Sequence, residues 1–313
     1  MGNTTTRRLR SNRVALSAPS GGISIAPACL EIRGGRIQAI LAYDADNPLG
    51  HPSEDLGDLL VTPAFVDAHT HLAMAAMRGI GVDAAADGNI VEDLFFGLES
   101  RLTPEDVRAF TRVGAYEALL HGTALVWDHY YHGEAVASGL MDAGLAGVVA
   151  PTLQDISGPG ADSWEEALAA TLRIAGDTEL AGRGIFASLG PHAPDTVSPE
   201  LVRRIADCAD AHQLPVHVHV GQSVDEVRLI RERYDTTPTG HLRELIESAP
   251  TSLLVHGVWC TDAEIANLAG TRAHMVVCPG SALIFAWPAR IDRWRDAGLP
   301  WSIGTDCPVC NDG

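Results

Sequence analysis

The rhythm of apolar and polar positions changes once along this chain. From about Val14 to Leu60, short apolar pieces are broken by Gly, Pro and Asp: Ala28 to Ile32, the pair Gly34-Gly35, then Arg36 to Tyr43. That spacing predicts a hairpin in a small β structure. From Leu60 onward, strand-length apolar runs alternate with amphipathic helical stretches, the mark of a parallel sheet. The runs cover 60–66, 124–128, 146–152, 184–189, 214–220, 252–256, 273–278 and 301–303. Helix starts lie between them at Thr103-Pro104-Glu105-Asp106, Ser163-Trp164-Glu165-Glu166, Ser198-Pro199-Glu200 and Thr261-Asp262-Ala263-Glu264, where a Ser or Thr precedes carboxylates in the first turn. Eight βα units predict an α/β fold, a closed (β/α)8 TIM-like barrel. We expect residues 1–60 to be N-terminal strands of a small β domain, a β-sandwich appendage, and residues 61–313 to be the barrel. The chain stops seven residues past Asp306, so the expectation is a barrel truncated after its eighth strand, with the C-terminal part of the appendage missing.

Composition narrows the partners. The 40 acidic and 22 basic side chains give a formal charge of −18, which repels phosphate backbones and anionic lipid. We expect no nucleic acid and no membrane partner. No apolar stretch is long enough to span a bilayer, and the Arg-containing N-terminus is followed by no apolar signal core. Six cysteines in 313 residues do not make a disulfide framework. A reducing cytoplasm is the expected location, with Cys307 and Cys310 as incidental thiols near a pocket.

In a barrel of this kind the active site lies at the C-terminal strand ends, and these are chemically unusual here. The first run closes in Asp67-Ala68-His69-Thr70-His71, the second in Asp128-His129, the fourth in Pro191-His192, the fifth in His217-Val218-His219, the sixth in His256 and the eighth in Asp306. A period of two puts His69 and His71 on one side of their strand, pointing into the barrel mouth. With His219, His256 and Asp306 at other strand ends, neutral imidazoles and a carboxylate form a set suited to one divalent ion, zinc first and iron second. Such an ion makes hydroxide available at neutral pH and polarises the bond under attack.

The stretch from Thr62 to Leu72 resembles the first-strand signature of the amidohydrolase superfamily, in its branch of cytosine, guanine and adenosine-analogue deaminases and triazine chlorohydrolases. Further similar motifs follow in order: Gly190-Pro191-His192-Ala193-Pro194, His217-Val218-His219, Val255-His256-Gly257-Val258-Trp259 and Gly304-Thr305-Asp306. The resemblance implies that His69, His71, His219 and Asp306 bind the metal, and that His256 binds it or orients the attacking water. It places His192 against a small-molecule substrate, with Gln222 and Trp259 as further substrate contacts. Asp306, His256 and Gln222 are the catalytic candidates, Asp306 taking the proton of the water. His217 points the same way but deeper, in a packed or supporting role. Since relatives are commonly dimers or larger, a homo-oligomer is expected.

The chain departs from that pattern at Gln222, where deaminases of the branch usually carry a Glu that shuttles protons. An amide cannot carry a proton through a cycle. Either Asp306 does all the proton transfer, which is the favoured expectation, or a carboxylate from another loop substitutes, or turnover is lost. In the seventh run, Val277-Cys278-Pro279-Gly280-Ser281-Ala282 lacks the usual histidine and asparagine. The expected function is hydrolytic removal of an amino, chloro or alkoxy group from a small nitrogen heterocycle. The alternatives are a metal-stabilised binding protein without turnover and a hydrolase of cyclic or linear amides. His51, His121, His132, His212, His241 and His274 are expected on the surface.

Overall fold

The computed structural model describes residues 6–18, 21–43, 54–80, 90–288 and 290–309. Two compact units divide the chain, Met1–Ala64 and Phe65–Gly313.

In the first unit, strands β1 (Arg7–Ser17), β2 (Ile23–Arg33) and β3 (Arg36–Ala42) form an antiparallel meander, and the two-residue strands β4 (Glu54–Asp55) and β5 (Leu60–Val61) pair with β1 in parallel. Gly34 and Gly35 both take positive φ, 58° and 74°, as the tight connection from β2 to β3 requires. Val14, Ala28 and Leu30 form the unit's small buried cluster. The first expected barrel run is therefore split. Its Leu60 and Val61 pair with β1, and Pro63, which has no N–H to donate to a ladder, precedes the restart at Phe65.

The second unit carries the parallel strands β6 (Phe65–Thr70), β7 (Thr123–Tyr130), β8 (Ala146–Leu153), β9 (Ile185–Ala187), β10 (Gly190–Pro191), β11 (Val216–Val220), β12 (Ser252–His256), β13 (Ala273–Val277) and β14 (Trp301–Ile303). One sheet runs β10-β8-β7-β6 with β9 also on β8, and the other runs β11-β12-β13-β14. Two parallel bridges, Leu189 to Val216 and Thr70 to Asp306, join the sheets at both edges. The ring is TIM-like, with β9 and β10 acting as one interrupted fourth strand.

Sequence chemistry explains the helices between the strands. Thr103 and Asp106 form a reciprocal capping box on Pro104–Leu120, as Thr261 and Glu264 do on Asp262–Leu268. Ser198 caps Pro199–His212 by accepting from Leu201 N, whereas Ser163 makes no side-chain cap to Trp164–Gly176. Core apolar side chains such as Leu189, Val216, Val218, Leu254 and Met275 pack strands against these helices. Among the described residues, no helix is long and apolar enough to cross a membrane.

Candidate metal centre

His69 lies near the end of β6, His71 immediately follows that strand, and His219 lies in β11. Each of these three rings has its Nδ1 tied outward. His69 Nδ1 lies 2.8 Å from His217 Nε2. His71 Nδ1 donates to the His129 carbonyl, and His219 Nδ1 donates to the His192 carbonyl over 2.7 Å. A carbonyl only accepts, so the last two bonds fix the tautomer: in the neutral rings the proton is on Nδ1 and the Nε2 lone pair faces inward. The Nε2 atoms of His71 and His219 then stand 3.3 Å apart. Two lone pairs at that distance repel unless a cation lies between them, either a metal ion or the proton of a charged His71.

Asp306 supplies the negative pole. Its Oδ1 is 3.4 Å from Nε2 of both His69 and His71, while its Oδ2 accepts from the Ser281 hydroxyl. Burial alone would raise this carboxyl, but the neighbouring imidazoles of His69 and His71 hold it well below the usual carboxylate range. Burial also disfavours a charged His71, yet the hydrogen bond and charge of Asp306 lift it to about 9. Burial keeps His69 neutral at about 3 and depresses His219 and His256 as well.

The backbone is pinned where these side chains converge. His71 N donates to Asp306 O and Asp306 N to His69 O, sewing the last strand to the first. Asp67 accepts from Thr305 N at 3.0 Å, from Thr305 Oγ1 at 2.6 Å and from His69 N at 3.2 Å. Gly304 has no room for a side chain, since a Cβ would lie 2.7 Å from His69 O. Asp306 and His256 both adopt positive φ, 66° and 75°, a strained conformation of the kind that concentrates at functional sites.

The residues present fit a divalent ion. Donor atoms of His69, His71 and Asp306 lie within 4.8 Å of one another, as do those of His69, His219 and His256. Nε2 of His69 and of His256 is buried without a hydrogen-bond partner, which ligation would relieve.

A cavity of about 590 Å³, including its open mouth, is lined by His71, Glu99, Tyr130, His192, His219, Gln222 and Asp306 among polar groups and by Met74, Phe95 and Phe285 among apolar ones. His192 and Gln222 are thus brought to the site, and His256 joins it through His69 and His219. Trp259 is 40% exposed in the loop after β12 and is not among the lining residues. His217 supports His69 from below, and Asp128 accepts from Leu72 N at 2.8 Å. Glu226 does not stand in for the missing Glu. Its carboxylate is occupied by Gly221 N at 2.7 Å and Gln222 N at 2.9 Å. Of the six remaining histidines, His121, His132 and His212 are exposed, while His241 and His274 are partly buried on Val197 O and Ser302 Oγ. His51 and Cys310 lie outside the described residues.

Sequence reasoning missed Glu99 and Ser281. Glu99 is buried in the cavity wall, and that burial pushes its carboxyl up to about 7, with the charge of His71 acting against it. Its one sequence signal is a Glu ending the mostly apolar stretch Leu94–Leu98.

The amidohydrolase family profile matches residues 60–312. A 5-methylthioadenosine/S-adenosylhomocysteine deaminase of Natronomonas pharaonis is 31% identical over 271 residues, covering 85% of this chain and 62% of that protein. This chain thus spans about three fifths of the length of such curated relatives. Among solved structures, an adenosine deaminase from Xanthomonas campestris with bound zinc superposes with a TM-score of 0.84 at 25% identity, over 97% of this chain and 70% of that one. A guanine deaminase from C. acetobutylicum reaches 0.85 at 16% identity over 97% and 75%, a likeness of fold. A profile match spanning the whole barrel, with the histidines and Asp306 gathered at its strand ends, places this chain in the amidohydrolase family.

Proposed function

We propose that this chain is a metal-dependent hydrolase that displaces an amino group from an sp² carbon of a small nitrogen heterocycle, of the adenosine type that its named relatives act on. The observation that carries this reading is the pair of inward-facing Nε2 atoms of His71 and His219, 3.3 Å apart, beside the Asp306 carboxylate. His69, His71, His219 and Asp306 would hold a single ion, zinc in preference to iron, since imidazole nitrogen with one carboxylate suits zinc at a four-coordinate site. When bound, the ion supplies Lewis acidity, lowering the pKa of water and polarising the bond under attack.

The chain's own groups do the rest. Asp306 stays ionised and is the acceptor for the proton of the attacking water. His256, buried and neutral, is placed to donate from Nε2 to negative charge developing on the substrate. His192 and Gln222 face the substrate from the cavity wall. Glu99 is the other carboxylate of that wall and is read as a substrate contact. Gln222 offers hydrogen bonds but no proton relay, so proton transfer rests on Asp306. In the first unit, the exposed Ile23, Ile25, Ile37 and Ile40 favour a second layer over the sheet, as in a β-sandwich domain.

Gln222 also supports a competing reading, a binding protein without turnover. Incubating the zinc-loaded chain with adenosine, 5-methylthioadenosine, guanine and chloro- or alkoxytriazines, and measuring ammonia or the displaced group, separates the two. Release from at least one, lost in His69→Ala, is expected. Saturable binding with no product from any of them would favour the binder, and neither binding nor product would remove both readings.

A further inference from the structure

We infer that His256, Cys278 and Asp306 form a second, sulfur-containing metal position beside the first, through which excess thiophilic metal shuts the site down. The inference rests on the first ion being held as proposed above.

Donor atoms of these three residues lie within 4.8 Å of one another, and all three side chains are buried. His256 Nε2 has no hydrogen-bond partner in that setting, so a shift of its proton to Nδ1 leaves an electron pair where a cation would sit. Asp306 belongs to this trio and to the His69, His71 trio alike. Its two oxygens offer about four lone-pair sites, enough to serve two ions at once. Nitrogen, thiolate and carboxylate together favour zinc and cadmium over magnesium or calcium.

An approach separate from the substrate side exists. A second cavity is lined by His256, Cys278, Pro279, Leu283 and Trp287. The substrate cavity is lined by neither His256 nor Cys278. As the Sγ–metal bond forms, the S–H bond breaks and its proton leaves to solvent, with no change of oxidation state. A second ion draws the His256 nitrogen away from substrate and engages the carboxylate that must accept the proton, so binding there inhibits.

The test starts from protein holding one zinc equivalent. Zinc is then titrated, with bound metal counted by elemental analysis after desalting, and cadmium is used in parallel to read the ultraviolet thiolate-to-metal band. Wild type is expected to take up a second equivalent, show the band and lose activity. Cys278→Ser is expected to hold one equivalent, lack that band and need at least about tenfold more zinc for half-inhibition. Cys208→Ser, in the helix Pro199–His212, serves as the thiol control and is expected to behave as wild type. Should Cys278→Ser not fold, Cys278→Ala and the sulfur shell in the X-ray absorption of wild type at two equivalents decide the question. One equivalent in wild type at every metal concentration, or undiminished second binding in Cys278→Ser, overturns the inference. Failure of even the first equivalent to bind would instead overturn the single-ion reading.

Discussion

Removing the imidazole of His217 probes how the first ligand is held. His69 and His217 are both fully buried, and the 2.8 Å bond between His69 Nδ1 and His217 Nε2 is the one that leaves His69 Nε2 facing the centre. His217→Ala leaves the buried His69 Nδ1 without its partner in a site no solvent reaches. An unsatisfied buried polar group costs about 1–3 kcal/mol, which lowers the melting temperature of the metal-stripped protein. Loss of an outer partner of a metal-binding histidine typically weakens the metal by about 10–100-fold, or roughly 1.4–2.7 kcal/mol at about 1.4 kcal/mol per decade. Competition with a chromophoric chelator measures the affinity, and thermal melts with and without chelator measure the fold. His217→Gln, which supplies an acceptor, is expected to recover part of the affinity. Unchanged zinc affinity in His217→Ala, alongside a lowered melting temperature, would show that His217 only fills space.

Three further outcomes follow from the same geometry. Glu99→Gln is expected to keep its metal yet lose roughly 10–100-fold in kcat/KM, the scale of a hydrogen bond to a charged group; steady-state kinetics with wild-type activity would remove Glu99 from the substrate wall. Gly304→Ala, whose Cβ would meet His69 O at 2.7 Å, is expected to cost about 1–3 kcal/mol by forced displacement and to weaken metal binding, and a melt and affinity matching wild type would contradict the close approach. Burial first, then the charge of Asp195, holds the carboxyl of Glu226 above its ordinary range, and burial first, then the charge of Glu92, does the same for Asp195. Their protonated forms are favoured by the fold, so this contribution is complete below the unfolded pKa and is lost as pH rises through the raised values. Chemical denaturation from about pH 5 to about pH 9 is expected to show falling stability with a shallower slope in Glu226→Gln, and an identical slope would refute the assignment.

The position of the candidate ligands was legible in the sequence because strand alternation and apolar flanks fix where a strand ends and which way its side chains point. Strand ends alone gathered His69, His71, His219, His256 and Asp306 at one mouth, and the choice of His69, His71, His219 and Asp306 among them came from the family resemblance. The role of His217 was legible as depth along the same strand, but its bond to His69 was not, since contacts between strands depend on their relative stagger. Glu99 was hidden because it reaches the cavity from a short helix after a long connection, where no period applies. Leu60 and Val61 look like the start of the barrel strand from their apolarity alone; only the pairing with β1 shows that they serve another sheet. Cys278 reads as an ordinary buried thiol until β13 is set beside the Asp306 loop.

X-ray absorption at the zinc edge, on protein reconstituted with one equivalent, reads the ligand set itself. The arrangement predicts a first shell of nitrogen and oxygen at about 2.0–2.2 Å with imidazole outer-shell scattering and no sulfur, and loss of bound zinc in His69→Ala. Failure to retain one equivalent, or a first shell dominated by sulfur, would contradict it.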